Sequence, residues 1–207
     1  MTDKYKTVHK DTIGEGFYSE KRSKFLAFVH HIESAEEALD VVRHYKKKYY
    51  DARHCCYAYR LGADGAEFRA NDDGEPSSTA GKPILGQLIS NDITNTLICV
   101  IRYFGGVKLG TSGLIVAYRE AAADGIAHSK IEEKFVEHIV HYTFSYPMMN
   151  DVMKIVKDMN ANIVEQKFDN TCEIVLSIRK SFAEQLEMRL NSLSFARSEE
   201  RRVGKEC

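Results

Sequence analysis

Residues 105–113, GGVKLGTSG, place four glycines, a lysine and two hydroxyl side chains within nine positions, a composition suited to holding an anion. Gly105, Gly106, Gly110 and Gly113 let the backbone turn tightly and lie close to a neighbour. Free backbone N–H groups at a helix start favour negative charge, and Lys108 adds a full positive charge beside them. Thr111 and Ser112 are natural N-cap residues for the helix that follows. Arg102 before the loop and Arg119 after it suit a phosphate or a base, although Arg119 is equally placed to pair with Glu120 or Asp72. The spacing Gly105-x-x-x-x-Gly110-Thr111 comes close to a P-loop. In a P-loop, however, the lysine follows the second glycine, where it reaches the β and γ phosphates. Lys108 precedes Gly110, which argues against an ATPase of that kind. Glycines that merely turn a strand into a helix explain the same residues as well as an anion site does.

A second stretch, residues 71–88, NDDGEPSSTAGKPILGQL, sets acidic residues beside helix-starting ones. Asp72, Asp73 and Glu75 carry oxygens that could hold a hydrated magnesium ion, but three carboxylates on a turn are more commonly a solvated loop. Gly74 and Pro76 make the turn, and Ser77 or Ser78 can cap a short helix beginning near Thr79. Ser77, Ser78 and Lys82 extend the candidate anion site of the first stretch.

The elements that position these residues follow from periodicity. Leu97 to Ile101 is a β-branched-rich apolar run and predicts a buried strand. Leu114, Ala117, Tyr118, Ala121 and Ala122 recur at helical spacing and predict a helix to about Ile126. Upstream, Gly14-Glu15-Gly16 predicts a turn, and Lys24 to Ile32 a strand covered on both faces. Ser34-Ala35-Glu36-Glu37 is a capping box that opens a helix with Ala38, Val42 and Tyr45 inward. His54 to Leu61 and Ala66 to Ala70 predict a hairpin. This order predicts an α/β sandwich with helices on one face of a mixed sheet.

Past a short polar link at 127–130 the pattern restarts. A strand over 136–144, a helix after Pro147 with a methionine-bearing stripe, two strands joined at Asp169-Asn170 and a second capping box at Ser181 give β-α-β-β-α. Residues 195–207 are an atypical polar tail with almost no alternating apolar residues, so no further strand is expected there.

DDGEPSSTAGKPIL and RYFGGVKLGTSGLIVAYREAA together strongly resemble the signature of the YigZ/IMPACT family, also called UPF0029, whose bacterial members include YvyE-like proteins. The resemblance implies an α+β chain: a ribosomal-protein-S5-domain-2-like sandwich over residues 1–128 and a ferredoxin-like domain over 129–194 that lacks its last strand. It also implies a tie to translation or nucleic acid, with RNA, the ribosome or a translation-associated protein as partner. GGVKLGTSGLIVA bears a fainter likeness to the phosphate loop of GHMP kinases. In that alternative Asp73 or Glu75 would hold magnesium while Lys108 and Ser112 meet the phosphates.

The whole chain sets bounds on these readings. It has 207 residues, 43% of them hydrophobic, enough to fill one large core or two small ones. No stretch approaches a membrane span and the N-terminus has no apolar signal core, so a cytoplasmic protein is expected. The five cysteines show no C-x-x-C, which fits a reducing compartment without structural zinc. Formal charge is −1 and evenly spread, with 17 basic and 17 acidic residues through His128 and 12 and 13 beyond it. Any nucleic-acid footprint must therefore be local. One candidate is Lys46, Lys47, Lys48 and Arg53 near His54, although such a run is more commonly a solvated helix end. No Cys-His or Ser-His-Asp constellation and no metal-ligand spacing is recognisable, so binding without a cofactor is expected rather than catalysis.

Overall fold

The computed structural model describes residues 3–169 and 171–203, with side chains as far as Leu193. Two compact units divide the chain: residues 4–134, and Asp3 together with the chain from Phe135. The division lies beyond the expected boundary at 128. The reason is that β7 (Ile131–Phe135) pairs with β1 (Lys4–Val8), and the His9 N–H donates to the Lys130 carbonyl at 2.8 Å.

The first unit is built on five antiparallel strands: β2 (Gly14–Glu20), β3 (Ser23–His31), β4 (His54–Leu61), β5 (Glu67–Asn71) and β6 (Thr96–Tyr103). They lie in the order β2-β3-β6-β4-β5, and every pairing is antiparallel. The sheet is thus not mixed, and helices cover both of its faces rather than one. Helix α1 (Ala35–Lys48) packs through Ala38, Val42 and Tyr45 on Leu97, Cys99 and Ile101. Helices α2 (Gly81–Ser90) and α3 (Gly110–Ala127) pack on the opposite face against Ile98 and Val100. Successive side chains of a strand point to opposite faces, so a central strand between two helical layers must be apolar at every position. The unbroken run of β6 reflects that requirement.

Ser34 caps α1 as its sequence requires, accepting from the Glu37 N–H at 3.1 Å. The Glu37 carboxylate reaches back to the Glu33 N–H at 2.8 Å, one residue further than a standard capping box. Gly14 and Gly16 lie in β2 rather than in a turn, because α3 crosses the strand there. A Cβ on Gly16 would stand 2.2 Å from the Gly125 nitrogen and 2.7 Å from the Ala121 carbonyl oxygen. The Asp124 carboxylate accepts the Phe17 N–H at 2.8 Å and fixes the same crossing.

The second unit carries β8 (Glu137–Phe144), a turn of 3-10 helix at Tyr146–Met148, α4 (Met149–Asp158), β9 (Asn162–Phe168), β10 (Cys172–Arg179) and α5 (Lys180–Val203). Its sheet has the order β8-β10-β9, and Val152, Ile155, Val156, Leu186 and Leu190 fill the core beside it. The methionine stripe, Met149, Met153 and Met159, packs against that core. Ser181 is not an N-cap. Strand β10 runs straight into α5, and the Lys180 N–H donates to the Val136 carbonyl at 2.8 Å. Helix α5 continues through the polar tail to Val203, as a segment rich in Glu and Arg can. Asn170 of the expected hairpin turn and residues 204–207 lie outside the described residues.

Gly16→Ala should lower stability by about 1–3 kcal/mol, read as a fall in the urea midpoint, because only backbone movement can relieve the clash. A pH effect follows from His30, whose Nε2 lies 2.7 Å from the Tyr45 hydroxyl. Burial, and then His44, lowers the His30 pKa to about 4. The unfolded chain protonates this imidazole below about 6.5 while the folded protein does not. Its contribution is therefore complete above pH 6.5 and is lost as pH falls toward 4. The urea midpoint should drop between pH 7 and pH 5, and His30→Gln should drop less.

Candidate functional site

The two glycine-bearing turns converge on one cleft in the first unit, of about 500 Å³. Gly74, Glu75 and Pro76 form one lip. Lys108, Leu109, Gly110 and Thr111 form the other, and Arg102 and His54 line it between them.

The acidic turn is shaped by its own carboxylates, each engaged separately. Asp72 accepts from the Ala80 and Gly81 N–H groups at 3.0 and 2.8 Å and from the Ser78 N–H at 2.8 Å. It thereby caps α2 from nine residues upstream, the role expected of Ser77 or Ser78. The helix itself begins at Gly81 rather than near Thr79. Asp73 accepts from the Cys55 N–H at 2.7 Å and pairs with Lys46. Glu75 is buried, 8% exposed, and its Oε1 accepts from Arg102 Nη1 at 2.5 Å and from the Tyr118 hydroxyl at 2.8 Å. Three carboxylates turned to three sets of protein donors do not form a shared magnesium face. Among the described residues no group of three or more His, Cys, Asp or Glu side chains is arranged to hold a metal ion.

Beneath Glu75 the network continues into the core. The Cys56 thiol lies 3.1 Å from the Asp72 carbonyl and 3.3 Å from the Tyr118 hydroxyl. Burial raises the pKa of both the thiol and the phenol, and the Glu75 charge adds to the shift. Both groups stay protonated, so the phenol is a fixed donor to Glu75. The neighbouring His54 donates one hydrogen bond from Nδ1 to the Asp73 carbonyl, 2.8 Å away. Since a carbonyl only accepts, Nδ1 carries the proton, and Nε2 lies 3.9 Å from Glu75 Oε1.

The glycine turn divides its labour. Gly105 is pressed against the β2–β3 turn, where a Cβ would meet the Arg22 carbonyl carbon at 2.1 Å and the Ser23 nitrogen at 2.2 Å. Gly106 and Gly110 take φ values of +85° and +74°, which a side chain would disfavour. Helix α3 begins at Gly110, so Thr111 and Ser112 lie inside its first turn and are not its caps. The N-cap is Leu109, which offers no side-chain bond, and the first turn contains no acidic residue. The unsatisfied N–H groups of that turn border the cleft.

Arg102, Lys108, Gly110, Thr111 and Glu75 thus line the cleft. Ser112 instead borders a neighbouring hollow with Tyr18 and Lys21. Arg119 sits on the exposed face of α3 and pairs with Glu120 at 3.1 Å. Ser77 and Lys82 are exposed, while Gly105 and Gly106 only shape the turn. Sequence reasoning did not single out Phe104, offered Arg53 as part of a local basic footprint while favouring a solvated helix end, and placed His54 only at the start of a strand. His54 stands directly opposite Arg102 in the β4–β6 pairing, and Arg53 precedes it. That pairing joins strands distant in sequence, so the local pattern holds no trace of it.

The family model of the Impact N-terminal domain matches residues 21–126, which include both turns. The IMPACT family member YvyE of Bacillus subtilis is 32% identical over 173 residues, 84% of this chain and 79% of the relative. The member YigZ of Escherichia coli is 41% identical over 100 residues, covering 47% and 49%. A solved structure of a hypothetical protein superposes with a TM-score of 0.74 at 23% identity over 94% of both chains, a likeness of fold alone. On the family match across half its length and the likeness to YvyE across most of it, this chain belongs to the IMPACT family.

Proposed function

We propose that this protein is a translation-associated regulator that acts in the cytoplasm by binding RNA phosphates, on the ribosome or free, at the cleft between the two turns. The observation that carries this reading is the convergence itself. One signature delivers Arg102, Lys108 and the uncapped start of α3 to a concavity whose other lip, Gly74, Glu75 and Pro76, comes from the second signature, and the chain entering β4 adds Arg53 and His54. The only carboxylate among the described residues that line it, Glu75, is already paired with Arg102. The field in the cleft is therefore positive in a chain whose formal charge is −1. The reading agrees with family membership, and an S5-domain-2-like first unit with a ferredoxin-like second unit belongs to the same proposal. The GHMP-kinase alternative needs a free carboxylate for magnesium, and Asp73 and Glu75 are both engaged with protein groups.

Binding through phosphates releases counterions, so affinity should fall linearly with salt on logarithmic axes. The protein should co-sediment with ribosomes at low salt and be released as salt rises. Lys108→Ala should weaken that association and make the salt slope shallower by about 0.7–0.9. Association that ignores salt, or that survives Lys108→Ala combined with Arg53→Ala unchanged, would rule the cleft out.

A further inference from the structure

Phe104 lies at the cleft and is 44% exposed, an aromatic ring that the core does not use. The Arg102 guanidinium sits 5.7 Å from its centroid and also 5.6 Å from the buried Phe25 ring. Arg102 is itself only 6% exposed and is held by Glu75, so it backs Phe104 as a fixed support. The Arg102 Nε has no hydrogen-bond partner, which leaves this buried guanidinium with donor capacity in a cleft already rich in donors. A second hollow of about 190 Å³ adjoins the first, with His54 as a common wall, and Lys46, Tyr49 and Tyr50 line it. Tyr50 is 86% exposed. Lys46 in this second hollow is paired with Asp73, so the unpaired positive charge lies in the first, and the two hollows, each with one exposed ring, share a single imidazole.

We propose that the cleft takes unpaired RNA, with one base stacked on Phe104, an adjacent base on Tyr50, and the phosphate between them near His54, Arg53 and Lys108. This deepens the phosphate-binding reading and rests on it. A duplex hides the faces of its bases inside its own stack, so aromatic platforms can engage only single-stranded segments. A cleft of about 500 Å³ has the capacity of a small-ligand site and accommodates a nucleotide unit rather than a double helix. Stacking tolerates every base but favours those with the larger ring system, so adenine is preferred to uracil.

Fluorescence anisotropy with 5′-labelled rA8, rU8 and an eight-base-pair RNA duplex tests the proposal, with inorganic polyphosphate as an unlabelled competitor. The single strands should bind more tightly than the duplex, and rA8 more tightly than rU8. Phe104→Leu and Tyr50→Leu, both at exposed positions, should each weaken rA8 binding roughly ten-fold, while Phe104→Tyr retains it. If both leucine variants bind as the parent does, or if the duplex binds equally well, the stacking proposal is overturned. Polyphosphate that competes as effectively as unlabelled rA8 would also overturn it, and would leave the phosphate reading standing. Loss of binding on Lys108→Ala with no effect of either leucine variant separates the two in the same way. No binding of any RNA, together with no retention on ribosomes, defeats both.

Discussion

The buried ion pair between Glu75 and Arg102 is the constraint on which the cleft depends. Removing two charges from water costs several kcal/mol per ion, and attraction between them restores that only with good geometry and further hydrogen bonds. Here Glu75 has the guanidinium on one side and the Tyr118 phenol on the other, and burial keeps that phenol protonated. The three residues come from the acidic turn, from β6 and from α3. A single carboxylate therefore ties one signature to the strand that leads into the other, and to the helix that follows it. If Glu75 were lost, Arg102 would remain as an uncompensated buried charge, and the turn carrying Gly74 and Pro76 would lose its ties to β6 and α3.

That constraint explains why the acidic turn is so densely polar, with each of its carboxylates engaged by protein groups. Asp73, Gly74 and Ser78 hold φ values of +43°, +86° and +65°, conformations that surrounding bonds must enforce. Asp72 enforces one end by capping α2, and Asp73 the other by holding β4 and Lys46. Glu75 is then presented inward at the middle. The composition that suggests magnesium ligands is a set of internal fasteners, and the oxygens that would meet a cation meet backbone N–H groups instead.

What was legible in the sequence was local in origin. The capping box at Ser34, the apolar run of β6 and the helical spacing of Leu114 to Ala122 each report an element through neighbours within a few residues. The cap supplied by Asp72 spans nine residues and escaped that logic. Gly14 and Gly16 looked like a turn because glycine permits one, whereas here they permit the crossing of α3, a contact with Ala121 and Gly125 more than a hundred residues away. The covering of both sheet faces was foreshadowed by the unalternating strand at 24–32, yet which helix covers which face depends on the strand order β2-β3-β6-β4-β5. The same order brings Arg53 and His54 beside Arg102. Most of the cleft's lining therefore falls within the two motifs, whereas Arg53 and His54 join it only because β4 pairs with β6.

A chain with formal charge −1 can still recognise a polyanion if its cations are fixed before the ligand arrives. The Glu75–Arg102 pair has little net charge, but it holds the guanidinium in one orientation, so no rotamer freedom of that side chain is lost on binding. On the proposed reading the attraction would come from Lys108, from Arg53 and from the N–H groups at the start of α3, whose first turn carries no carboxylate. Acidic groups elsewhere on the surface would repel the same ligand, which would disfavour other orientations. Selectivity in such an arrangement arises from the contrast between cleft and surroundings rather than from total charge. The even spread of charge along the sequence therefore conceals an uneven distribution in space at this cleft, where the fold turns Glu75 inward while Lys108 and Arg53 line the opening.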